Sequence, residues 1–236
     1  MVWYNTFMPK PLISLGEWYH CYNRGVDKRK VFSTKGDYDR FLLLLYACNS
    51  TKPFHAGDFR DPALAAIIAS ESFERGKSVV GIGAYALMPN HVHLVLKELQ
   101  EGGIALFMQK VFTGFTMYFN KKNERTGSLF AGTYKARHVA DDRYLKRVIP
   151  YVHCNPIELI EPQWKEGRGN RMKIEEWLRK YPYSSLPDFL DVRRPENSLL
   201  EPSIRDLFEE GELSLKLILK DAQEYYRESS IPFPEV

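Results

Sequence analysis

The period of hydrophobic and polar positions changes several times along the chain, and each change predicts an element. EWYHCYNRG (17–25) alternates bulky residues and ends in Asn-Arg-Gly, the pattern of a strand running into a turn. DYDRFLLLLYACNS carries a strong apolar run with Asp37 as its cap, which predicts a helix over about 34–49. After the loop STKPFHAGDFRD, the segment PALAAIIASESFERG has Pro62 at its start and Gly76 after its end, as a second, short helix would. SVVGIGAYALMPNHVHLVLKE holds two β-rich runs, 79–88 and 91–97, around Pro89-Asn90, an antiparallel hairpin with a tight connection.

ALFMQKVFTGFTMYFNKKNERTG spaces Leu106, Val111, Phe115, Tyr118 and Phe119 helically and closes on basic residues and Gly127, so it reads as a long amphipathic helix. TYKARHVAD is a further strand with basic residues outward. DDRYLKRVIPYVHCNPIEL reads as a helix capped near Asp141 or Asp142 and stopped by Pro156. Pro150 inside it removes one backbone donor and predicts a kink. Beyond about 162 the pattern shifts: GRGN is a turn, EEWLRKYPYSSLPDF is Pro-broken, and SIRDLFEEGELSLKLILKDAQEYYRE is helical with an acidic face. The order β-α-(α)-β-β-α-β-α predicts an α+β fold, an antiparallel sheet with helices packed on one face. The chain divides into a core at 1–162, with an insertion at about 50–78, and a helical C-terminal extension at 163–236.

Composition narrows the class. Of 236 residues, 44% are hydrophobic and 14% aromatic, enough for a packed core, which excludes global disorder. No apolar run approaches the ~20 residues of a membrane span, and MVWYNTFMPKP lacks the pattern of a secretion signal. Cys21, Cys48 and Cys154 are odd in number and widely spaced, against a disulfide framework or a cysteine zinc site; a reducing cytoplasm is expected. The net charge of +3 says less than its distribution. Arg24, Lys28, Arg29 and Lys30 cluster early, then Lys121, Lys122 and Arg125, then Lys135, Arg137, Arg143, Lys146 and Arg147, whereas acid collects in EPSIRDLFEEGE. A basic middle with an acidic tail is consistent with a polyanionic partner, and solvated surface charge is the bland alternative for any one cluster.

The chemistry to explain is MPNHVHLVLKE. His91 and His93 are two apart, so a strand points both imidazoles to one face. That is a surface accident, a pair of structural histidines or half of a metal site, since two ligands rarely suffice. A His-x-His-x-His phosphoesterase array fails at Val95, no pair of His-x-Thr/Ser motifs is present, and the pair is followed by Leu-Val-Leu instead of forming HExxH. A metal held by His-x-His plus an oxygen ligand, with a nucleophile on a helix, remains. Tyr151 and Asn155 lie four apart on one helical face and offer a phenol for attack and an amide oxygen for the metal. Taken alone, Tyr151 reads as a core aromatic and Asn155-Pro156 as a helix end. His20, on the same strand face as Trp18 and Tyr22, reads as a packed histidine, and Gln109 as a solvated helix residue.

Four segments occur in order: YHCYNRGVDKRKVF (19–32), YALMPNHVHLVLKE (85–98), FMQKVFTGFTMYFNKKNERTGSLFAGTYKARHV (107–139) and DRYLKRVIPYVHCNPI (142–157). Together they resemble the IS200-like HUH single-tyrosine transposases, most closely the REP-associated tyrosine transposases, over about 17–162; KYPYSSLPDF (180–189) resembles a C-terminal segment of the same group. The resemblance implies a ferredoxin-like core with His91 and His93 on a central strand. It further implies Tyr151 as nucleophile, Asn155 as third metal ligand and Mg²⁺ or Mn²⁺ as cofactor. Attack of Tyr151 on single-stranded DNA would leave a 5′-phosphotyrosine and a free 3′-hydroxyl. Arg24, Arg29, Lys30, Lys121, Lys122, Lys135 and Arg137 are the DNA-contact candidates, and the foot of an imperfect hairpin flanked by a guide tetranucleotide is the implied substrate. Pro150, next to Tyr151, and the long 50–78 segment depart from the pattern.

A domesticated, non-catalytic hairpin-binding protein is the alternative from another class. A replication-initiation HUH nuclease is weaker, because helicase motifs are absent from the sequence. By resemblance a monomer is expected, with a dimer exchanging tyrosine helices as the other arrangement.

Overall fold

The computed structural model describes residues 13–54, 64–69, 75–209 and 213–228. Four strands form one sheet: β1 (Trp18–Arg24), β2 (Val80–Met88), β3 (His91–Glu98) and β4 (Lys135–Val139), in the order β2-β3-β1-β4, each antiparallel to its neighbour. Two helices make the crossovers: α1 (Lys35–Cys48) leads from β1 to β2, and α3 (Gly103–Lys122) from β3 to β4. This is the β-α-β-β-α-β arrangement of ferredoxin-like folds. A short α2 (Leu64–Ile68) occupies part of the 50–78 insertion, and Pro62, the expected helix start, lies outside the described residues. After β4 come α4 (Asp142–Cys154), α5 (Arg171–Lys180), α6 (Leu186–Phe189) and α7 (Leu215–Glu228).

Local chemistry sets the helix ends. Thr34 is the cap of α1, and Asp37 sits three residues in, where its Oδ2 accepts from the Thr34 and Ser33 amides at 2.8 and 2.9 Å. The capping role expected of Asp37 is thus the reciprocal half of a capping box. Asp141 caps α4, its Oδ1 accepting from Tyr144 N at 2.7 Å. At α3 the carboxylate of Glu98 accepts from Gly103 N (3.1 Å) and Ile104 N (2.7 Å), which places a negative charge on a helix N-terminus. The stripe of α3 that reaches the core is Ile104, Phe107, Val111, Phe115 and Phe119, while Leu106 and Tyr118 are only partly buried.

Strand periodicity then divides the sheet into two faces. Glu98, Leu96, Leu94 and Val92 project toward α3, which also packs on α1 through Phe115 and Phe41, whose rings are 5.1 Å apart. The alternate residues of β3, including His91 and His93, project to the other face. There α4 lies across β2 and β3, on the face to which β2 turns the small residues Ala84 and Ala86. The two crossover helices share one face as the order of elements predicts, and α4 adds a layer on the second.

β2 is at the end of the strand order, yet every one of its residues is buried. The C-terminal extension explains this. Leu87 N donates to Tyr183 O (2.9 Å), Ser185 N to Tyr85 O (3.0 Å) and Glu201 N to Ile82 O (2.8 Å), so the outer edge of β2 is hydrogen-bonded to residues far along the chain. Between Ile82 and Ala84 the register slips, and at Gly83 a Cβ would sit 2.7 Å from the Trp18 ring, so glycine lets the indole close on the bulge. Asp188, fully buried, is paired with Arg194, whose guanidinium also donates to the Tyr85 hydroxyl at 3.1 Å. Phe189, Leu199, Leu200, Ile204 and Tyr225 of the extension belong to the same hydrophobic core as the sheet. A second cluster joins Cys154 and Ile157 to Trp164, Leu178, Leu186 and Ile218.

Candidate active site

The turn at Pro89-Asn90 makes His91 the first residue of β3, opposite Arg24 of β1 and Met88 of β2; His93 lies opposite Tyr22 and Ala86. Both imidazoles are buried, with ring centroids 4.9 Å apart and planes at 85°. His91 Nδ1 is 2.7 Å from Asn90 Oδ1, and His93 Nδ1 is 2.9 Å from His20 Nε2. His20 and His93 are stacked, with centroids 5.2 Å apart. Burial is the main force on all three and draws His20 and His91 down to about 3. The charge of Arg137 adds to this at His20, and those of Lys165 and Arg24 at His91. His93 is held well below its ordinary value by burial, by the two neighbouring imidazoles and by Lys165. Near neutral pH the three rings are therefore uncharged, each with one lone pair.

α4 supplies the other half of the site. It runs continuously from Asp142 to Cys154 with Pro150 inside. Tyr151 points onto the histidine face, fully buried, its ring 6.1 Å from His93 and 5.9 Å from His20, edge-on to both. Asn155 follows at the helix end, where a short 3₁₀ segment, Asn155–Leu159, takes over with Pro156 in its first turn. Asn155 Nδ2 donates to Tyr151 O at 2.9 Å, so the amide's nitrogen is the end turned to the helix. Burial raises the Tyr151 phenol well above its ordinary value, the Glu158 carboxylate and Tyr225 add to the effect, and a hydrogen bond with the Asn155 side chain opposes it.

Three of these neighbours escape sequence reasoning. Tyr225 of α7 packs its ring 4.9 Å from that of Tyr151. Lys165 Nζ stands 5.9 Å from the centre of the Tyr151 ring and 4.8 Å from that of Tyr226, and is ion-paired with Glu158. Lys165 and Glu158 carry no local signature. Tyr225 could have been anticipated only as the inward face of α7, in line with Leu215, Ile218 and Ala222. His20, read as a packed strand histidine, is packed directly on His93.

The basic candidates separate by place. Arg24, Lys135 and Arg137 lie on the histidine face, opposite His91, Tyr22 and His20 respectively. Arg29 and Lys30 are exposed just after β1, in a segment whose next residues, Val31 and Phe32, donate to Pro89 O beside the hairpin turn. Lys121 and Lys122 end α3 on the opposite side of the sheet, and Lys122 is engaged by Asp37 (2.6 Å) and Thr34 (2.8 Å).

The donor set suits a divalent cation: two uncharged imidazoles whose Nδ1 atoms are already engaged, and an amide whose nitrogen donates to a helix carbonyl. Among the described residues no three His, Cys, Asp or Glu side chains are grouped as a metal site, so an amide would have to complete it. No described helix is long and apolar enough to cross a membrane. No family model matches the chain, and no curated protein matches it in sequence. Among solved structures the fold is similar to that of a REP-associated tyrosine transposase bound to a REP hairpin, with a TM-score of 0.45 and 10% identity over 80% of this chain and 88% of that one.

Proposed function

We propose that this protein is a metal-dependent single-strand DNA nicking and joining enzyme, acting on hairpin DNA with Tyr151 as nucleophile. The observation that carries the reading is the placement of Tyr151 of α4 edge-on to His93 of β3, with His91 beside His93 and Asn155 one helical turn beyond Tyr151. His91, His93 and Asn155 would hold Mg²⁺ or Mn²⁺. Bound there, the cation would polarise the scissile phosphate and offset charge developing on its oxygens. Tyr151 forms the P–O bond as the bond to the 3′-oxygen breaks; the phenol loses its proton and the departing oxygen gains one. The product is a 5′-phosphotyrosine with a free 3′-hydroxyl, and reversal of the step joins strands without ATP. Arg24, Lys135 and Arg137 border the site and would engage the phosphate chain, with Arg29 and Lys30 beside the hairpin turn.

One observation favours a second reading, a hairpin-binding protein without catalysis: Tyr151 is fully buried and its phenol is pushed toward the protonated form. Incubation of labelled hairpin and single-stranded DNA with the protein and Mn²⁺, followed by denaturing electrophoresis, separates the two. A covalent adduct that disappears in Tyr151→Phe, while the gel shift persists, is the expected result. A gel shift with no adduct in the wild type assigns the binding role, and an adduct retained by Tyr151→Phe removes Tyr151 as nucleophile.

A further inference from the structure

Two side chains outside the proposed ligand set decide which nitrogen of each histidine is available. An imidazole can bind a cation through Nε2 only if its proton is on Nδ1. At His91 the neighbour settles this. Asn90 Nδ2 donates to Lys28 O at 3.4 Å, which orients the amide so that Oδ1, an acceptor only, faces His91 Nδ1 at 2.7 Å. His91 must then donate from Nδ1, and its Nε2 is bare. At His93 the partner is another imidazole, His20 Nε2, at 2.9 Å, and one proton lies between two uncharged rings. If His20 donates, His93 carries its proton on Nε2 and is closed to a cation. If His93 donates, both strand histidines present bare Nε2 atoms.

Resting on the metal reading above, we propose that Asn90 and His20 are positioning residues that hold His91 and His93 in the Nδ1–H tautomer and so prepare two adjacent Nε2 lone pairs for one divalent cation. The pieces come from separate places: Asn90 from the hairpin turn, His20 from the neighbouring strand, two register positions from the Tyr22–His93 pair. This gives Asn90 and His20 a task that their burial alone does not require.

The test has two independent readouts on the full-length protein. Long-range ¹H–¹⁵N correlation spectra of metal-free protein in EDTA report the protonated nitrogen of each imidazole. The expected result is Nδ1–H on both His91 and His93; Nε2–H on either overturns the proposal. Mn²⁺ affinity, followed by the electron paramagnetic resonance of the free ion, should fall about 10- to 100-fold in Asn90→Ala and in His20→Phe. Asn90→Asp, which keeps an acceptor at Nδ1, should bind close to wild type. Folded Asn90→Ala and His20→Phe variants with unchanged Mn²⁺ affinity also overturn it. If wild-type protein binds no Mn²⁺, the metal reading fails by itself, and the tautomers of the metal-free protein still decide the positioning claim.

Discussion

At the scale of single residues the interior holds histidines that cannot readily take a proton. His20 and His91 of the site, and His153 away from it beside Ser185 and Phe189, are drawn down to about 3, in each case chiefly by burial, and His93 moves in the same direction. In the unfolded chain a histidine titrates near 6.5. Between those values the unfolded state binds more protons than the folded one, so stability is full above about pH 6.5 and is lost as pH falls toward 3. Each such group contributes about 1.4 kcal/mol per pH unit inside the window, so three together cost on the order of 4 kcal/mol between pH 6 and pH 5. Urea unfolding in EDTA should show the midpoint falling steeply over that interval. A midpoint that is level from pH 7 to pH 5 contradicts the burial of uncharged imidazoles.

At the scale of elements, α3 depends on one side chain from the preceding strand. Glu98 accepts from two of its first amides, and it is buried, so no water replaces it freely. Glu98→Ala should cost about 1–2 kcal/mol in chemical denaturation, with Glu98→Gln in between, since a neutral amide retains an acceptor without the charge. A loss below about 0.3 kcal/mol would show the cap to be dispensable. The elements themselves were largely legible from period and punctuation. Alternation marked β1 and the β2–β3 hairpin, Pro89-Asn90 marked its turn, and the aromatic spacing marked α3. The order of those elements led directly to the antiparallel sheet. Less legible was the side of the sheet that α4 would take. The alternation of His91 and His93 identified their common face, but what would cover it depended on α4 folding back over β2 and β3, a long-range contact with no local trace. The neighbours of Tyr151 were hidden for the same reason. Lys165 and Tyr225 reach it only after the chain has folded back, whereas the i, i+4 relation of Tyr151 to Asn155 is written in the helix itself.

At the scale of the whole molecule, residues beyond 162 contribute to the sheet and its core. The extension supplies hydrogen bonds to the edge of β2, side chains to the sheet's own core and the ring against Tyr151. A chain ending at residue 162 leaves that edge and the surfaces that Phe189, Ile204 and Tyr225 cover exposed. It should lose cooperative thermal unfolding and associate in size-exclusion chromatography, as long apolar sheet edges do. A monomeric 1–162 fragment with a sharp transition would show that the core needs none of these contacts.

The covered edge of β2 also has a consequence in time. Tyr85 N finds its partner, Ser185 Oγ, 100 residues later in the chain. At cellular rates of synthesis that distance takes roughly 5–20 s to emerge from the ribosome. Throughout that interval the hairpin can form, yet an apolar strand waits with its outer amides open. The nascent chain therefore passes through a sticky intermediate that the finished protein conceals, and holding chaperones should engage it between the emergence of β2 and that of Ser185.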